Sequence, residues 1–419
     1  MYACLGILFH KIHVLKYVKE VYSNRFKNCT RWGFLYMKAV TYQGHKKMVT
    51  KEVEDAKIIE STDAIIKITA SGICGSDLHL YHQGDLFMEP GFVIGHEPMG
   101  IVEEVGKDVK NLKKGDRVVI PFNIGCGECF YCQHDMESQC DNSNETPANW
   151  KLDNGGLFGF GNLHGNHWGG QAEYLRVPHA DFSSFKVPDN NLKDEQVLFL
   201  SDVAPTAYWS VEHAGVKPGD TVIVLGCGPI GLMAQKFAKL KGAERVIAID
   251  NVQHRLDHAK KYNGAEVYNF DEEKEIGKLL KEKTQGGADV VIDCVGMDGQ
   301  QSSPEPKLSR RSQQRGTISP IITAAESVRK FGTIQLTGIY GTPADNFPLD
   351  LIFNRNVRVT SGQAPVIHLM PKLYQMIKDE VFDPTEIITH TFPLEKADEA
   401  YKVFDKKKDN NIKVILKPE

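Results

Sequence analysis

The stretch TVIVLGCGPIGLMAQKFAKLKGAERVIAID, from Thr221 to Asp250, decides the fold. It opens on TVIVL, a β-branched and apolar run that reads as a buried strand. Gly226-x-Gly228-x-x-Gly231 follows, with Pro229 and Ile230 between its last two glycines. Leu232, Ala234, Phe237 and Leu240 then recur at helical spacing, and RVIAI forms a second strand ending at Asp250. Each glycine has a physical task. Gly226 permits a tight turn, Gly228 lets a pyrophosphate approach the backbone at the helix N-terminus, and Gly231 lets helix and strand pack closely. An acid about 20 residues past such a turn marks a dinucleotide site. Asp250 is expected to accept hydrogen bonds from the adenosine ribose hydroxyls of NAD, and its charge opposes the 2′-phosphate of NADP. Arg255 lies close enough in sequence to join that site. GADVVIDCVG, Gly287 to Gly296, reads as a later parallel strand whose C-terminal end faces the cofactor.

The rest of the chain is consistent with a two-domain α/β protein. At 419 residues it exceeds one ordinary core. A formal net charge of −4, with 25% charged residues, gives no electrostatic case for nucleic acid or an anionic membrane. No apolar run is long enough to span a bilayer. The first 36 residues carry six Lys or Arg against one acid, and Leu8, Ile12, Leu15, Val18 and Tyr22 recur at helical spacing. The expectation there is an unstructured arm or upstream sequence preceding a functional start at Met37, with a basic amphipathic helix as the competing reading. KAVTYQG after Met37 reads as an opening strand and turn.

Four of nine cysteines fall within CGECFYCQHDMESQC: Cys126, Cys129, Cys132 and Cys140, spaced C-x2-C-x2-C-x7-C. Their short gaps let the thiolates turn back onto one ion. Four sulfurs close a tetrahedral zinc shell with no open position, so this site is expected to be structural. Binding at such a site releases on the order of 10 kcal/mol into folding. The uneven cysteine distribution suits a reducing compartment better than a disulfide framework.

Upstream, SGICGSDLHLYH (Ser71 to His82) and GFVIGHEPMGIVEEVG (Gly91 to Gly106) supply Cys74, His96 and Glu97, all zinc-ligand residue types. With these motifs and the glycine turn in this order, residues 37–419 resemble the zinc-dependent medium-chain alcohol dehydrogenases. WGGQAEYLRVP and FLSDVAPTAYWS are similar to the branch containing glutathione-independent formaldehyde dehydrogenases. The resemblance implies a GroES-like, mostly β catalytic domain (residues 37–200, completed by 357–419). It implies a Rossmann NAD domain between, at residues 201–356. It also implies that Cys74, His96 and Asp202 hold a catalytic zinc, with Glu97 beside it as a transient or outer partner. A zinc count of two per chain follows. Asp202 replaces the Cys or Glu of other members. Glu173, His164 and His167 are the competing candidates for its place.

By the same resemblance, Ser76 takes the alcohol proton and passes it through the ribose hydroxyl to His79, and Thr206 lies against the nicotinamide. The implied reaction is a reversible hydride transfer between a primary or secondary alcohol and NAD, giving an aldehyde or ketone. The implied setting is a cytoplasmic homo-oligomer, dimer or tetramer, acting on a small molecule. Phe87, Trp150, Trp168 and Leu351 are candidate pocket side chains. Residues 297–319 look inserted, with Arg310, Arg311 and Arg315 clustered. An insertion in this position accompanies tight NAD retention and aldehyde dismutation in the formaldehyde-dehydrogenase branch, which makes dismutation a second reading. A non-catalytic NAD- and zinc-binding protein is the reading from another class. The two metal motifs and the relay hydroxyl weigh against it, and against a zinc-free quinone reductase.

Overall fold

Thr221–Leu225 forms the centre of a six-stranded parallel sheet in the order Glu266–Asn269, Arg245–Asp250, Thr221–Leu225, Ala288–Asp293, Val328–Leu336, Arg358–Ser361. The computed structural model describes residues 36–83, 88–144, 153–296, 317–340 and 346–418. The chain starts mid-sheet, builds outward on one side, then crosses to the other. It therefore leaves a crevice between Thr221–Leu225 and Ala288–Asp293 at their C-terminal ends, where ligands of doubly wound sheets bind. Strand Thr221–Leu225 is almost wholly buried, as its apolar run requires. The glycine turn behaves as its spacing predicts. Gly226 has φ +90°, and a Cβ on Gly231 would lie 1.9 Å from the Gly226 carbonyl oxygen.

Helix Pro229–Leu240 follows, with proline in its first turn, where the missing N–H costs nothing. Leu232, Ala234 and Phe237 are buried. Leu240 departs from the expected apolar stripe: it is 46% exposed.

The second sheet is mostly antiparallel, in the order Ile388–Pro393, Lys413–Lys417, Ala64–Ile73, Glu97–Val105, Arg117–Val119, Phe185–Lys186. Tyr174–Val177 also pairs with Ala64–Ile73. The ten-residue strand Ala64–Ile73 is its spine and is nearly all buried. Lys413–Lys417 lies antiparallel to that strand, with Val414 opposite Ile73, so the C-terminal stretch returns to complete the antiparallel sheet. The boundary expected at residues 356/357 needs correction. Arg358–Ser361 is the sixth strand of the nucleotide sheet, because it continues the parallel ladder beside Val328–Leu336.

The largest apolar cluster joins the two sheets. Phe199, Leu200 and Tyr208 pack with Val222, Phe237 and Ile415 across the junction. Truncating one of these, such as Phe237→Ala, typically costs about 3–5 kcal/mol. Among the described residues no helix is long and apolar enough to cross a membrane. The basic N-terminal stretch before Tyr36, most of the 297–319 insertion with its three arginines, Phe87 and Trp150 lie outside the described residues.

Candidate active site

Two neighbouring strands create the first site. Ala64–Ile73 ends just before Cys74, and His96 immediately precedes Glu97–Val105. Gly72 pairs with Glu97, which sets Cys74 beside His96. The stretch after Cys74 is a helix, Gly75–Gln83. Asp202 arrives from the other side, at the N-terminus of helix Val203–His213. Its Oδ2 lies 3.3 Å from His96 Nε2 and 3.6 Å from Cys74 Sγ. Donor atoms of Cys74, His96, Glu97 and Asp202 all fall within 4.8 Å of one another, and all four residues are buried.

These residues fit a zinc ion. Ligand bonds of about 2.1 Å for N or O and about 2.3 Å for S give tetrahedral edges of about 3.4 Å and about 3.6 Å, close to the observed N···O and S···O separations. The donors are also oriented. His96 Nδ1 lies 3.0 Å from Asp77 Oδ1, which directs Nε2 toward Cys74 and Asp202. Thr206, one helical turn past Asp202, donates to its other oxygen at 2.7 Å.

Charge accumulates in this pocket. Burial, then Glu97 and Asp202, raise the Cys74 thiol. Burial alone would lower the His96 pKa, but Asp77 and Asp202 outweigh it and raise it well above normal. The cluster thus holds protons that a dication would displace. Glu97 is turned to Lys413, whose Nζ lies 2.6 Å from Oε1.

The competitors for the third donor position are placed elsewhere. Glu173 accepts the Lys38 N–H at 2.6 Å, and a His167 ring nitrogen lies 2.8 Å from the Ser143 carbonyl oxygen. His164 lines the cleft but is not in the four-donor cluster, and burial brings its imidazole down to about 4. Ser76 Oγ lies 3.3 Å from His96 Nε2, and His79 follows three residues on along the same helix.

Both motifs open onto one cleft of about 1040 Å³. Cys74, Ser76, His79, His96, Asp202 and Thr206 line one part of it, and Gly226, Gly228, Pro229, Ile230, Asp250 and Arg255 another. Gly231 lies behind the turn. Asp250 Oδ2 accepts the Cys227 N–H at 2.7 Å, and its Oδ1 accepts from Asn251 and Val252. Arg255 is buried beside it, and among the described residues its Nε has no hydrogen-bond partner. That orphaned donor beside the glycine turn fits a polar, anionic ligand such as a dinucleotide.

Trp168 and Leu351 do not line the cleft, contrary to expectation. Phe122, Leu157, Phe160 and Ala364 do. Phe160 lies against the His96 ring, with centroids 4.9 Å apart. These positions were missed because nothing in their local spacing marks them; the fold gathers them.

Comparison with known proteins shows the family. Residues 60–189 match the alcohol dehydrogenase GroES-like domain family, and residues 229–305 match the zinc-binding dehydrogenase family. The uncharacterized zinc-type alcohol dehydrogenase-like protein AdhB of Bacillus subtilis is 54% identical, covering 91% of this chain and 100% of that protein. The chain belongs to the zinc-dependent medium-chain alcohol dehydrogenases. A glutathione-independent formaldehyde dehydrogenase of Pseudomonas aeruginosa is 33% identical over 81% of this chain and 86% of its own length. Among solved structures, the alcohol dehydrogenase TADH of Thermus sp. ATN1 superposes with a TM-score of 0.78 at 33% identity, covering 91% of this chain and all of that one. Membership makes this chain an oxidoreductase of the alcohol dehydrogenase type, with a GroES-like domain and a Rossmann domain.

The cysteine lobe of this alcohol dehydrogenase is a second candidate zinc site. Sγ atoms of Cys126, Cys129, Cys132 and Cys140 lie within 4.8 Å of one another, and all four cysteines are free. The Cys126–Cys132 and Cys129–Cys140 sulfurs are each 3.9 Å apart. A ZnS₄ tetrahedron with bonds of about 2.3 Å has edges of about 3.8 Å. Backbone N–H groups of Glu128 and Cys129 point at Cys126 Sγ, both at 3.3 Å, and that of Cys126 points at Cys140 Sγ. Burial pushes the Cys129 thiol up, but N–H groups of Cys132 and Asp141 outweigh it and bring it down to about 7. Burial pushes Cys132 and Cys140 up. Four sulfurs at these separations are the donor set of a closed zinc site.

Proposed function

We propose that this chain catalyses reversible hydride transfer between a primary or secondary alcohol and NAD, yielding an aldehyde or ketone. The observation that carries the reading is the convergence of Cys74, His96 and Asp202 in the cleft that also receives the glycine turn. One zinc would be held by those three residues and a second, structural one by the four cysteines. At the former, zinc supplies Lewis acidity that stabilises negative charge on the substrate oxygen near neutral pH. NAD, held along Gly226 to Gly231, supplies the hydride acceptor.

The chain's own groups do the rest. Thiolate Cys74 and carboxylate Asp202 offset the metal charge, so the site stays near neutral and accepts an anionic oxygen. Thr206 fixes Asp202 and faces the cleft beside it. The Ser76 hydroxyl, on the cleft wall 3.3 Å from His96 Nε2, would accept the alcohol proton, and His79, three residues on along the same helix and also lining the cleft, would pass it toward solvent. Phe122 and Phe160 keep the reacting end apolar and exclude water. Asp250 favours NAD over NADP, because its carboxylate stands where a 2′-phosphate would be repelled, and Arg255 offers its unpaired N–H to the adenosine side.

The homo-oligomer expected of this family would form at the outer strand Arg358–Ser361. Among the described residues that strand is paired on one side only, and exposed Leu349, Phe353 and Val359 lie within it or just before it in sequence. Light scattering on the purified chain tests this: a monomer would reject it.

The decisive experiment on function is metal analysis of protein purified from Met37 without chelator, followed by NAD reduction with a panel of alcohols and formaldehyde. Formaldehyde belongs in the panel because a relative carries its name. Two zincs and NADH formation support the reading. One zinc, absence of turnover and failure to reload would favour a non-catalytic binding protein.

A further inference from the structure

The metal cluster is held from behind by side chains drawn from distant parts of the chain. Asp77 is fully buried. Its Oδ1 faces His96 Nδ1 at 3.0 Å, and its Oδ2 accepts the Cys74 N–H at 3.0 Å. One carboxylate therefore fixes the ring of one proposed ligand and the backbone of another. Gln171 Nε2 lies 3.2 Å from that same Oδ2 and 3.2 Å from the Gly72 carbonyl oxygen. Two acceptors on one side dictate the amide orientation: nitrogen toward Asp77, Oε1 away. Tyr401 then donates its hydroxyl to Oε1 at 2.9 Å. Gln171 and Tyr401 are as completely buried as Asp77, so water cannot replace any of these bonds.

We propose that Gln171 and Tyr401 are positioning residues for the metal centre, holding Asp77 and through it His96 and Cys74. The inference rests on the reading of Cys74, His96 and Asp202 as zinc ligands. The Gln171 backbone is pinned on both sides: its N–H donates to the Ile94 carbonyl, and its carbonyl accepts from Val40. Only its side chain can respond to a lost partner. Among the described residues, Tyr401 gives Oε1 its one hydrogen bond. Removing that hydroxyl leaves a buried acceptor unpaired, and the amide relieves this by rotating away from Asp77. Helix Ala397–Asp405, far from Asp77 and Gln171 in sequence, thus contributes to how firmly the ligands are aimed. Groups that orient a metal-binding histidine commonly affect metal retention.

The test follows zinc release from the full-length protein with a chromogenic chelator. Asp202→Ala identifies which of the two released zincs comes from the Cys74 site. Tyr401→Phe keeps the ring, whose centroid lies 5.6 Å from that of Tyr81, and removes only the hydroxyl. It should speed release of the Cys74-site zinc about 10-fold, with the cysteine-lobe zinc unchanged. Gln171→Leu should speed it more, up to about 100-fold. Gln171→Glu, of nearly the same size, should behave like Gln171→Leu, because an oxygen would then face Asp77. Adding Tyr401→Phe to Gln171→Leu should give no further acceleration, since the hydroxyl's partner is already gone. Unchanged release in the single variants, or effects that multiply in the double variant, would overturn the proposal. If the Gln171 variants do not fold, Tyr401→Phe decides alone. Wild-type protein whose zinc content is insensitive to Asp202→Ala overturns the ligand reading and this inference together. Two wild-type zincs with unchanged variant rates overturn only the inference.

Discussion

Lys413 Nζ lies 2.6 Å from Oε1 of Glu97, and neither side chain reaches solvent. The pair joins Lys413–Lys417 to the strand that starts directly after His96. Removing one partner strands a buried charge. Lys413→Met is expected to lower unfolding free energy by roughly 3–5 kcal/mol. Adding Glu97→Gln should recover much of that loss, because no uncompensated charge then remains. Denaturant unfolding at fixed zinc concentration measures both, and equal stability of wild type and Lys413→Met would show that Glu97 is satisfied in some other way.

Asp202→Ala should remove one zinc per chain and reduce kcat/KM well beyond the ~100-fold that outer hydrogen-bond partners typically cost. The fold should survive, since Asp202 stands at a helix start rather than in the apolar junction. Metal content, activity and circular dichroism on one preparation check this. Full activity would dismiss Asp202 as the third ligand.

Cys129→Ser should act on stability rather than chemistry. A closed sulfur shell contributes to folding through its metal, so thermal or denaturant midpoints should fall markedly while turnover per folded, zinc-loaded active site changes little. An inactive protein of unaltered stability would give the lobe a different role.

Asp250→Gly should narrow the gap between NAD and NADP, read as the ratio of their kcat/KM values. The substitution removes the charge facing a 2′-phosphate and leaves Arg255 to attract it. An unchanged ratio would assign cofactor choice to another residue.

Burial lowers the His164 imidazole from 6.5 to about 4, and burial together with Lys236 lowers His258 likewise. Both groups prefer to be neutral in the fold. The unfolded chain binds their protons below about pH 6.5, whereas the folded protein does so only near pH 4, so stability should fall as pH drops through that window. In His164→Gln the slope of stability against pH should be shallower by up to about 1.4 kcal/mol per pH unit between those limits. An identical slope would mean that the ring already protonates in the folded state.

What could be read from sequence was what local spacing encodes. Gly226, Gly228 and Gly231 act within one turn, and the four lobe cysteines act within one loop, so pattern and geometry coincide. Cys74 and His96 needed the neighbouring-strand pairing of Gly72 with Glu97 to meet. Asp202 was reached by resemblance alone, since a single aspartate before a helix has many ordinary uses. Lys413, Gln171 and Tyr401 carried no signal. Their contacts depend on which distant strands become neighbours and in what register, and one slip would turn each side chain to another face. Phe122 and Phe160 looked like ordinary core aromatics for the same reason. Arg358–Ser361 was assigned to the wrong side of a boundary because a short, polar edge strand has little apolar alternation to betray its sheet.

The antiparallel seating of Lys413–Lys417 against Ala64–Ile73 also bears on the order of events during synthesis. The nucleotide sheet is contiguous from Thr221 to Ser361 and can fold as soon as it leaves the ribosome. The antiparallel sheet cannot: the Ser71–Ile73 end of its spine waits, with its edge open, through translation of the whole intervening unit. Until the closing strand emerges, Glu97 lacks Lys413 and Gln171 lacks Tyr401. The nascent chain therefore has a stretch in which the cysteine lobe can already take up metal while the Cys74 pocket is unfinished, and an exposed strand edge in that interval is where a chaperone would be of most use.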